Sequence, residues 1–174
     1  GTAATERIFL KEMHMRHIIC FHNPQKENGY LSNWYPSPFE KDGISFAHME
    51  QYMMYQKALQ FQDTEIAQQI LQTDNPGKVK ALGRSVRNYV DSRWSAVRQQ
   101  IVYEGLLEKF RQNQSLLQEL LATAPHLLAE CAVHDRIWGI GLSMTDSDRF
   151  SPEKWRGQNL LGYTLMQVRD ELSK

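Results

Sequence analysis

The stretch AHMEQYMMYQKALQF, from Ala47 to Phe61, determines the predicted fold class. It contains neither proline nor glycine, and most of its residues, among them Met, Gln, Glu, Lys and Ala, favour the helical conformation. We therefore predict a helix over residues 47–61. The segments that follow it in the chain extend the same pattern, so that helices dominate the predicted fold.

Further helices are predicted C-terminal to this segment. Pro76 occupies the first helical turn, where proline is favoured, and Gly83 is a typical residue for closing a helix. Asn113 and Asn159 are predicted to cap the two helices that follow them. In chain order the helices are expected at Thr64–Leu71, from Pro76 to Gly83, from about Ser92 to Arg111 with Val102, Leu106 and Phe110 on a core-facing stripe, from Asn113 to Leu121, and over Leu160–Leu172.

A few short strands are also indicated. Residues 16–21 are β-branched and aromatic, which is typical of a strand. Residues 44–46 follow the turn signal Asp42-Gly43 and form a second candidate, while residues 127–132 fit either a strand or a helical turn. The predicted fold class is therefore α+β and predominantly α-helical, a single compact domain with a few short strands.

Length and charge restrict the classes of function. A chain of 174 residues is enough for one domain with one core. Twenty Lys and Arg residues balance twenty Asp and Glu residues, so no net field recruits nucleic acid or an acidic membrane. No apolar run approaches the roughly 20 residues that span a bilayer.

The ends of the chain and its two cysteines bear on its compartment. The chain starts at Gly1, and residues 1–15 are interpreted as an N-terminal extension that is partly a cloning remnant, while residues 16–174 form the domain. No secretory leader is recognised. Cys20 and Cys131 lie in apolar surroundings and are expected to be free thiols, which suits a reducing cytosol. We therefore expect a cytoplasmic protein.

Glu50 and Lys57 are the first candidates for chemistry. They are seven residues apart, so a helix places them on nearly the same face, two turns and about 10 Å apart. With Met53 and Met54 between them they either line a pocket that raises the pKa of the glutamate or occupy a solvated face. Spacing alone favours the solvated face.

Two loop segments are the next candidates. In Asp135–Gly141, Trp138 beside Gly139 either stacks on a planar base or anchors the loop, with Asp135 capping a turn, and the two interpretations have equal weight. In Trp155–Gly162, Arg156 and the helix start at Asn159 form a possible anion seat, although composition favours a simple capped helix. Arg84 is a further candidate phosphate ligand.

No metal site or cofactor motif is predicted. His14, His17, Cys20 and His22 are residues of the type that bind metals, but their spacings match no standard zinc pattern. Phosphate-binding glycine loops, dinucleotide fingerprints and serine nucleophile elbows do not occur either. The expected site therefore contains neither a metal nor a cofactor.

The order of the short motifs resembles the YbiA/NADAR family from about Ile18 to Leu172. The motifs are Leu31-Ser32-Asn33-Trp34, His48-Met49-Glu50-Gln51-Tyr52, Gln56-Lys57-Ala58, Leu82-Gly83-Arg84, Trp94, Lys109-Phe110, Leu121-Ala122-Thr123, Asp135 to Gly141, Gly157 to Gly162, and Arg169. The resemblance implies hydrolysis of N-glycosidic bonds on ribose. Some members act on phosphoribosylamino-pyrimidine intermediates of riboflavin synthesis, and others remove ADP-ribose from guanine in DNA. The segment from Ser143 to Trp155 is longer than expected for compact members, which leaves the size of the substrate open.

The resemblance and the residues together give the expected site. Glu50, Lys57 and Asp135 are predicted to be catalytic: the two carboxyl groups stabilise charge on the ribose and protonate the base, or Lys57 captures the sugar as a Schiff base. The predicted substrate-binding residues are Asn33, Arg84, Trp94, Trp138, Gly139, Arg156 and Asn159. The expected substrate is a phosphorylated ribosylamine, with removal of ADP-ribose from DNA and a non-catalytic module binding NAD or ADP-ribose as alternatives. The sequence does not indicate an oligomeric state.

Overall fold

The computed structural model describes residues 2–7 and 18–174 and confirms the predominantly helical fold with a few short strands. Residues 3–7 are helical, and residues 8–17, which include His14, His17 and the first part of the predicted strand, lie outside the description. The main elements are β1 (Ile18–Phe21), β2 (Phe39–Lys41), β3 (Ile44–Phe46), α1 (Met49–Gln60), α2 (Thr64–Leu71), α3 (Pro76–Arg84), α4 (Asp91–Arg111), α5 (Gln114–Ala122), β4 (Leu127–Glu130) and α6 (Leu160–Leu172).

The strands form two small pairs. β1 and β4 are parallel, with Phe21 opposite Glu130, so the segment that fitted either strand or helix is a strand over its first four residues. β2, which was not predicted, pairs antiparallel with β3. Asp42 and Gly43 join them with φ of 54° and 78°, as a two-residue hairpin turn of the I′ type requires.

Helix α1 lies at the centre of the helical layer and packs against α2, α3 and α4. The predicted stripe of Val102, Leu106 and Phe110 on α4 is fully buried. A Cβ atom at Gly105 would overlap the ring of Tyr52, so the absent side chain allows α1 and α4 to approach closely. Helix α6 packs against α4 and β4. Of the helices in the described part of the chain, none is long and apolar enough to cross a membrane.

Several helix ends differ from the prediction. His48 caps α1: its Nδ1 accepts from the Gln51 backbone N–H at 3.1 Å, so the helix begins at Met49 rather than at residue 47. Helix α3 continues through Gly83 to Arg84, and the absent side chain of Gly83 leaves room for the side chain of Met54. Asn113 does not cap α5; its amide donates to the carbonyls of Pro38 and Lys109.

Asn159 does not cap α6 with its side chain either. It adopts the left-handed conformation with φ of 52° and is completely buried. Its Nδ2 donates to Leu128 O at 2.9 Å, and its Oδ1 accepts from the backbone N–H of Glu130 at 3.0 Å. Asn159 therefore fastens the start of α6 to the edge of β4, which is a structural role for this side chain.

Candidate active site

A cleft of about 730 Å³ lies between α1, α3 and the loops that follow β1 and β4. This volume is in the range of small-molecule sites. Helix α1 contributes Glu50, Met53, Met54 and Lys57, and α3 contributes Lys80 and Arg84. The predicted grouping of Glu50 and Lys57 on one face is confirmed, and that face lines the cleft.

Glu50 is buried in the wall of the cleft, with 5% of the residue exposed. Burial raises the pKa of its carboxyl to about 7, and the negative charge of Asp135 adds to the rise. Lys80, Lys57 and a hydrogen bond from the Trp34 side chain lower the pKa in part. The carboxyl is consequently divided between its acid and its ionised form near neutral pH, and the solvated-face interpretation is wrong.

Lys57 lies two turns further along α1 and is half-buried. Its Nζ lies 4.6 Å from the centroid of the Tyr89 ring, within the range of a cation–π contact. Burial lowers the pKa of Lys57, and the nearby Arg84 lowers it further, while the charge of Glu50 acts in the opposite direction. The neutral amine, which is the nucleophilic form, is therefore more accessible than in a solvated lysine.

Asp135 and Trp138 reach the cleft from the loop after β4. Asp135 Oδ1 accepts from the backbone N–H groups of Ile137 at 3.0 Å and Trp138 at 2.9 Å, so the predicted capping of a turn is confirmed. The same residue also lines the cleft, as does the half-buried Trp138. Trp94 of α4, which is 5% exposed, supplies a second aromatic ring to the lining.

Asn33 and Trp34 reach the cleft on a segment held by a buried lysine. Lys109 Nζ donates to Tyr30 O at 2.7 Å and to Ser32 O at 3.2 Å, and its burial lowers the pKa of Lys109 to about 7. The backbone carbonyl of Asn33 in turn accepts from the N–H of Glu50 at 3.0 Å. The segment is thus tied to α4 on one side and to the start of α1 on the other.

Three of the predicted substrate-binding residues lie outside the lining of the cleft: Gly139, Arg156 and Asn159. The carbonyl of Gly139 accepts from the N–H of Asn159 at 3.0 Å, while Arg156 is exposed and its N–H donates to Ile140 O at 2.8 Å. The polar groups of the Asn159 side chain are used within the fold. These residues hold the loop after β4 against α6, and the structure does not bring them to Glu50.

The cleft also contains residues that were not predicted to belong to the site. Lys80 lies one turn before Arg84 on α3, a spacing that places both on one face. His22 and Glu130 are 108 residues apart and meet because β1 pairs with β4, with His22 Nδ1 at 3.3 Å from Glu130 Oε1. The i,i+4 spacing was a usable signal for Lys80, whereas no local signal exists for the His22–Glu130 pair.

Potential metal ligands do not converge in residues 2–7 and 18–174, where no group of three or more His, Cys, Asp or Glu side chains could hold an ion. Of the four residues noted in the sequence for their metal-binding type, His14 and His17 lie outside this range. Cys20 is buried without a disulfide, as is Cys131.

Comparison with known proteins identifies relatives over almost the whole chain. The NADAR domain family matches residues 20–173. An N-glycosidase of Acanthamoeba polyphaga mimivirus is 38% identical over 161 residues, which cover 88% of this chain and 95% of the viral protein. The NMR structure of Escherichia coli YbiA aligns with a TM-score of 0.75 and 30% identity, covering 90% of this chain and 85% of that one. A riboflavin biosynthesis protein of Vibrio vulnificus is 29% identical over 160 residues, which are 92% of this chain and 40% of that protein.

Proposed function

The chain belongs to the NADAR domain family and is a hydrolase of N-glycosyl compounds, and on that premise we propose that it cleaves the ribose–nitrogen bond of phosphorylated ribosylamino-pyrimidines from riboflavin biosynthesis. The observation that carries the proposal is Glu50, a buried carboxyl with a pKa of about 7 in a cleft with Lys57, Lys80 and Asp135. A carboxyl with this pKa is half protonated at neutral pH, which suits a general acid.

Cleavage of the C1′–N bond requires a proton on the leaving nitrogen and stabilisation of positive charge on the sugar. In the proposed reaction the acid form of Glu50 donates its proton to that nitrogen as both bonding electrons leave with the base. The carboxylate of Asp135, which lines the same cleft, stabilises the oxocarbenium ion. Water then adds to C1′ and returns a proton to Glu50, so that one water is consumed and the enzyme is regenerated.

Lys57 allows a second route to the same cleavage, in which Glu50 again donates the proton. A ribosylamine opens to an imine at C1′, and the neutral amine of Lys57 adds to this carbon. The amino-pyrimidine leaves with a proton from Glu50, and a Schiff base remains between Lys57 and the sugar. Water hydrolyses this Schiff base to the free sugar aldehyde. The lowered pKa of Lys57 favours this route, and only this route passes through an intermediate that a reductant traps.

The two cations on α3 are suited to the phosphate of the substrate. Lys80 and Arg84 are both exposed and both line the cleft from one face of the helix. Arginine pairs with phosphate oxygens in a bidentate geometry, and lysine binds them as a point charge. We propose that they hold the 5′-phosphate while Trp94 and Trp138 contact the base.

Two features favour a small nucleotide over modified DNA as the substrate. The cleft, at about 730 Å³, has the size of a small-molecule site. The chain carries no net charge, whereas a DNA-directed surface gains most of its affinity from an excess of cations. The relative from Vibrio vulnificus, a riboflavin biosynthesis protein, supports the same choice.

The direct test is to incubate the purified protein with a 5-phosphoribosylamino-pyrimidine and, separately, with DNA carrying ADP-ribosyl-guanine. Release of the base and of ribose 5-phosphate or ADP-ribose is followed by mass spectrometry. We expect ribose 5-phosphate from the pyrimidine substrate and no product from the Glu50→Gln variant. Faster release from the DNA substrate would replace the proposal by its alternative, and no release from either would refute it.

A further inference from the structure

Glu130 is held rigidly at the end of β4. Its backbone N–H donates to Asn159 Oδ1 at 3.0 Å, and its backbone carbonyl accepts from Ile140 at 2.8 Å. Its side chain, only 12% exposed, lines the cleft, and Oε1 pairs with His22 at 3.3 Å. The carboxyl therefore has a fixed place in the wall and one oxygen already occupied.

The other oxygen of Glu130 has no partner. Oε2 is shielded from solvent, and no donor from the described residues reaches it. The same holds for Oδ1 of Asn33, a residue that is 8% exposed and also lines the cleft. Buried acceptors without a donor are rare in folded proteins because each costs free energy. Since both residues border the cleft, a bound molecule can supply the missing donors.

We infer that Glu130, positioned by His22, accepts a hydrogen bond from an exocyclic amino group of the base, and that Asn33 accepts a second N–H. Glutamate side chains read amino groups of bases in this way, whereas an oxo group at the same place presents a lone pair to the carboxylate and is repelled. The cleft therefore selects amino-substituted pyrimidines and purines over their oxo or unsubstituted counterparts.

This inference rests on the proposed function, because it assigns the base part of that substrate to this wall of the cleft. It concerns affinity rather than turnover. A binding experiment with non-reacting probes therefore tests it separately from hydrolysis.

Guanosine 5′-monophosphate and inosine 5′-monophosphate are suitable probes because they differ only by the exocyclic amino group. Isothermal titration calorimetry of the wild-type protein should give at least about tenfold tighter binding of the guanosine nucleotide, as expected for one hydrogen bond to a charged acceptor. Glu130→Gln should bring the two affinities within about threefold of each other without changing that of the inosine nucleotide. Glu153→Gln, an exposed glutamate outside the cleft, is the matched control and should retain the preference.

Three outcomes overturn the inference. Equal affinities in the wild-type protein, or binding of neither nucleotide, show that this wall does not read an amino group. A preference that survives in a folded Glu130→Gln variant removes Glu130 from the role. If that variant does not fold, the wild-type ratio decides alone. If the wild-type protein prefers the guanosine nucleotide but does not hydrolyse the proposed substrate, only the proposed function is refuted.

Discussion

Lys80 partly offsets the effect of burial on Glu50. Burial alone drives the carboxyl of Glu50 towards its neutral form, and of the charged groups around it Lys80 lowers its pKa most, while Asp135 raises it. Lys80 lies on α3 and Asp135 lies in the loop after β4. Groups on two separate elements therefore shift the pKa of Glu50 in opposite directions. The pKa of about 7 is the balance of these contributions.

This balance predicts opposite shifts of the pH profile in two variants. If Glu50 acts as an acid, kcat/KM falls above pH of about 7. Lys80→Gln removes a cation that favours the ionised form, so the falling limb should move to higher pH by about 0.5 to 1 pH unit. Asp135→Asn removes a repelling charge and should move it to lower pH by a similar amount, while its Oδ1 still accepts the turn hydrogen bonds.

Lys78→Gln is the matched control for Lys80, since Lys78 is on the same helix and outside the lining of the cleft. Its profile should coincide with that of the wild type. Shifts of the same sign in the Lys80 and Asp135 variants would contradict the assignment of the limb to Glu50.

Glu50→Gln should be more stable than the wild type at alkaline pH although it is inactive. The folded state raises the pKa of Glu50 from 4.5 to about 7, so it binds more protons than the unfolded chain between these values. The wild type therefore loses stability as pH rises through this window, by up to roughly 3 kcal/mol. Urea unfolding of both proteins at pH 4, 6 and 8 measures the difference, which should be small at pH 4 and largest at pH 8.

The helices could be predicted from local sequence, and so could the position of Glu50 on the same helix face as Lys57. A seven-residue spacing on an unbroken helix determines the common face whatever surrounds it. It does not determine whether that face is buried. Residues 49–55 of α1 are all buried, so no polar stripe distinguishes the side towards solvent from the side towards the cleft.

The remainder of the site depends on tertiary contacts that no local pattern contains. Glu130 meets His22 only because β1 and β4 pair in parallel across 108 residues. Asn159 precedes a helix and has the residue type of a cap, but the neighbouring strand offers its side chain two better-placed backbone groups. The side chain of Asn159 consequently joins the start of α6 to β4.

Reduction with sodium borohydride during turnover should trap the sugar on Lys57 if the Schiff-base route operates. The expected adduct adds the mass of the reduced ribose phosphate to the intact protein, and peptide mapping should place it on Lys57. Lys57→Met should give no adduct, whereas Lys80→Gln, which leaves the candidate amine in place, should still give one. An active wild-type protein without any adduct would assign the reaction to direct hydrolysis.

The position of the phosphate distinguishes Arg84 from Arg156. Arg84 lines the cleft and Arg156 is exposed outside its lining. Arg84→Gln should weaken the binding of ribose 5-phosphate about ten- to hundredfold, because a charge-assisted pair is lost. Arg156→Gln should change it less than about twofold. Calorimetric titration measures both variants. Weaker binding by the Arg156 variant, with unchanged binding by the Arg84 variant, would place the phosphate at the start of α6 instead.

Asn159 offers a test of the junction between β4 and α6. Asn159→Ala loses the hydrogen bonds to Leu128 and Glu130 and puts an alanine in the left-handed conformation, so we expect a loss of about 3–4 kcal/mol. Asn159→Gly loses the same hydrogen bonds without that backbone strain and should be less destabilised, by about 1 kcal/mol. Guanidinium unfolding of both variants at one pH separates the two contributions. A stability change below about 1 kcal/mol in the alanine variant would show that these buried hydrogen bonds do not hold the junction.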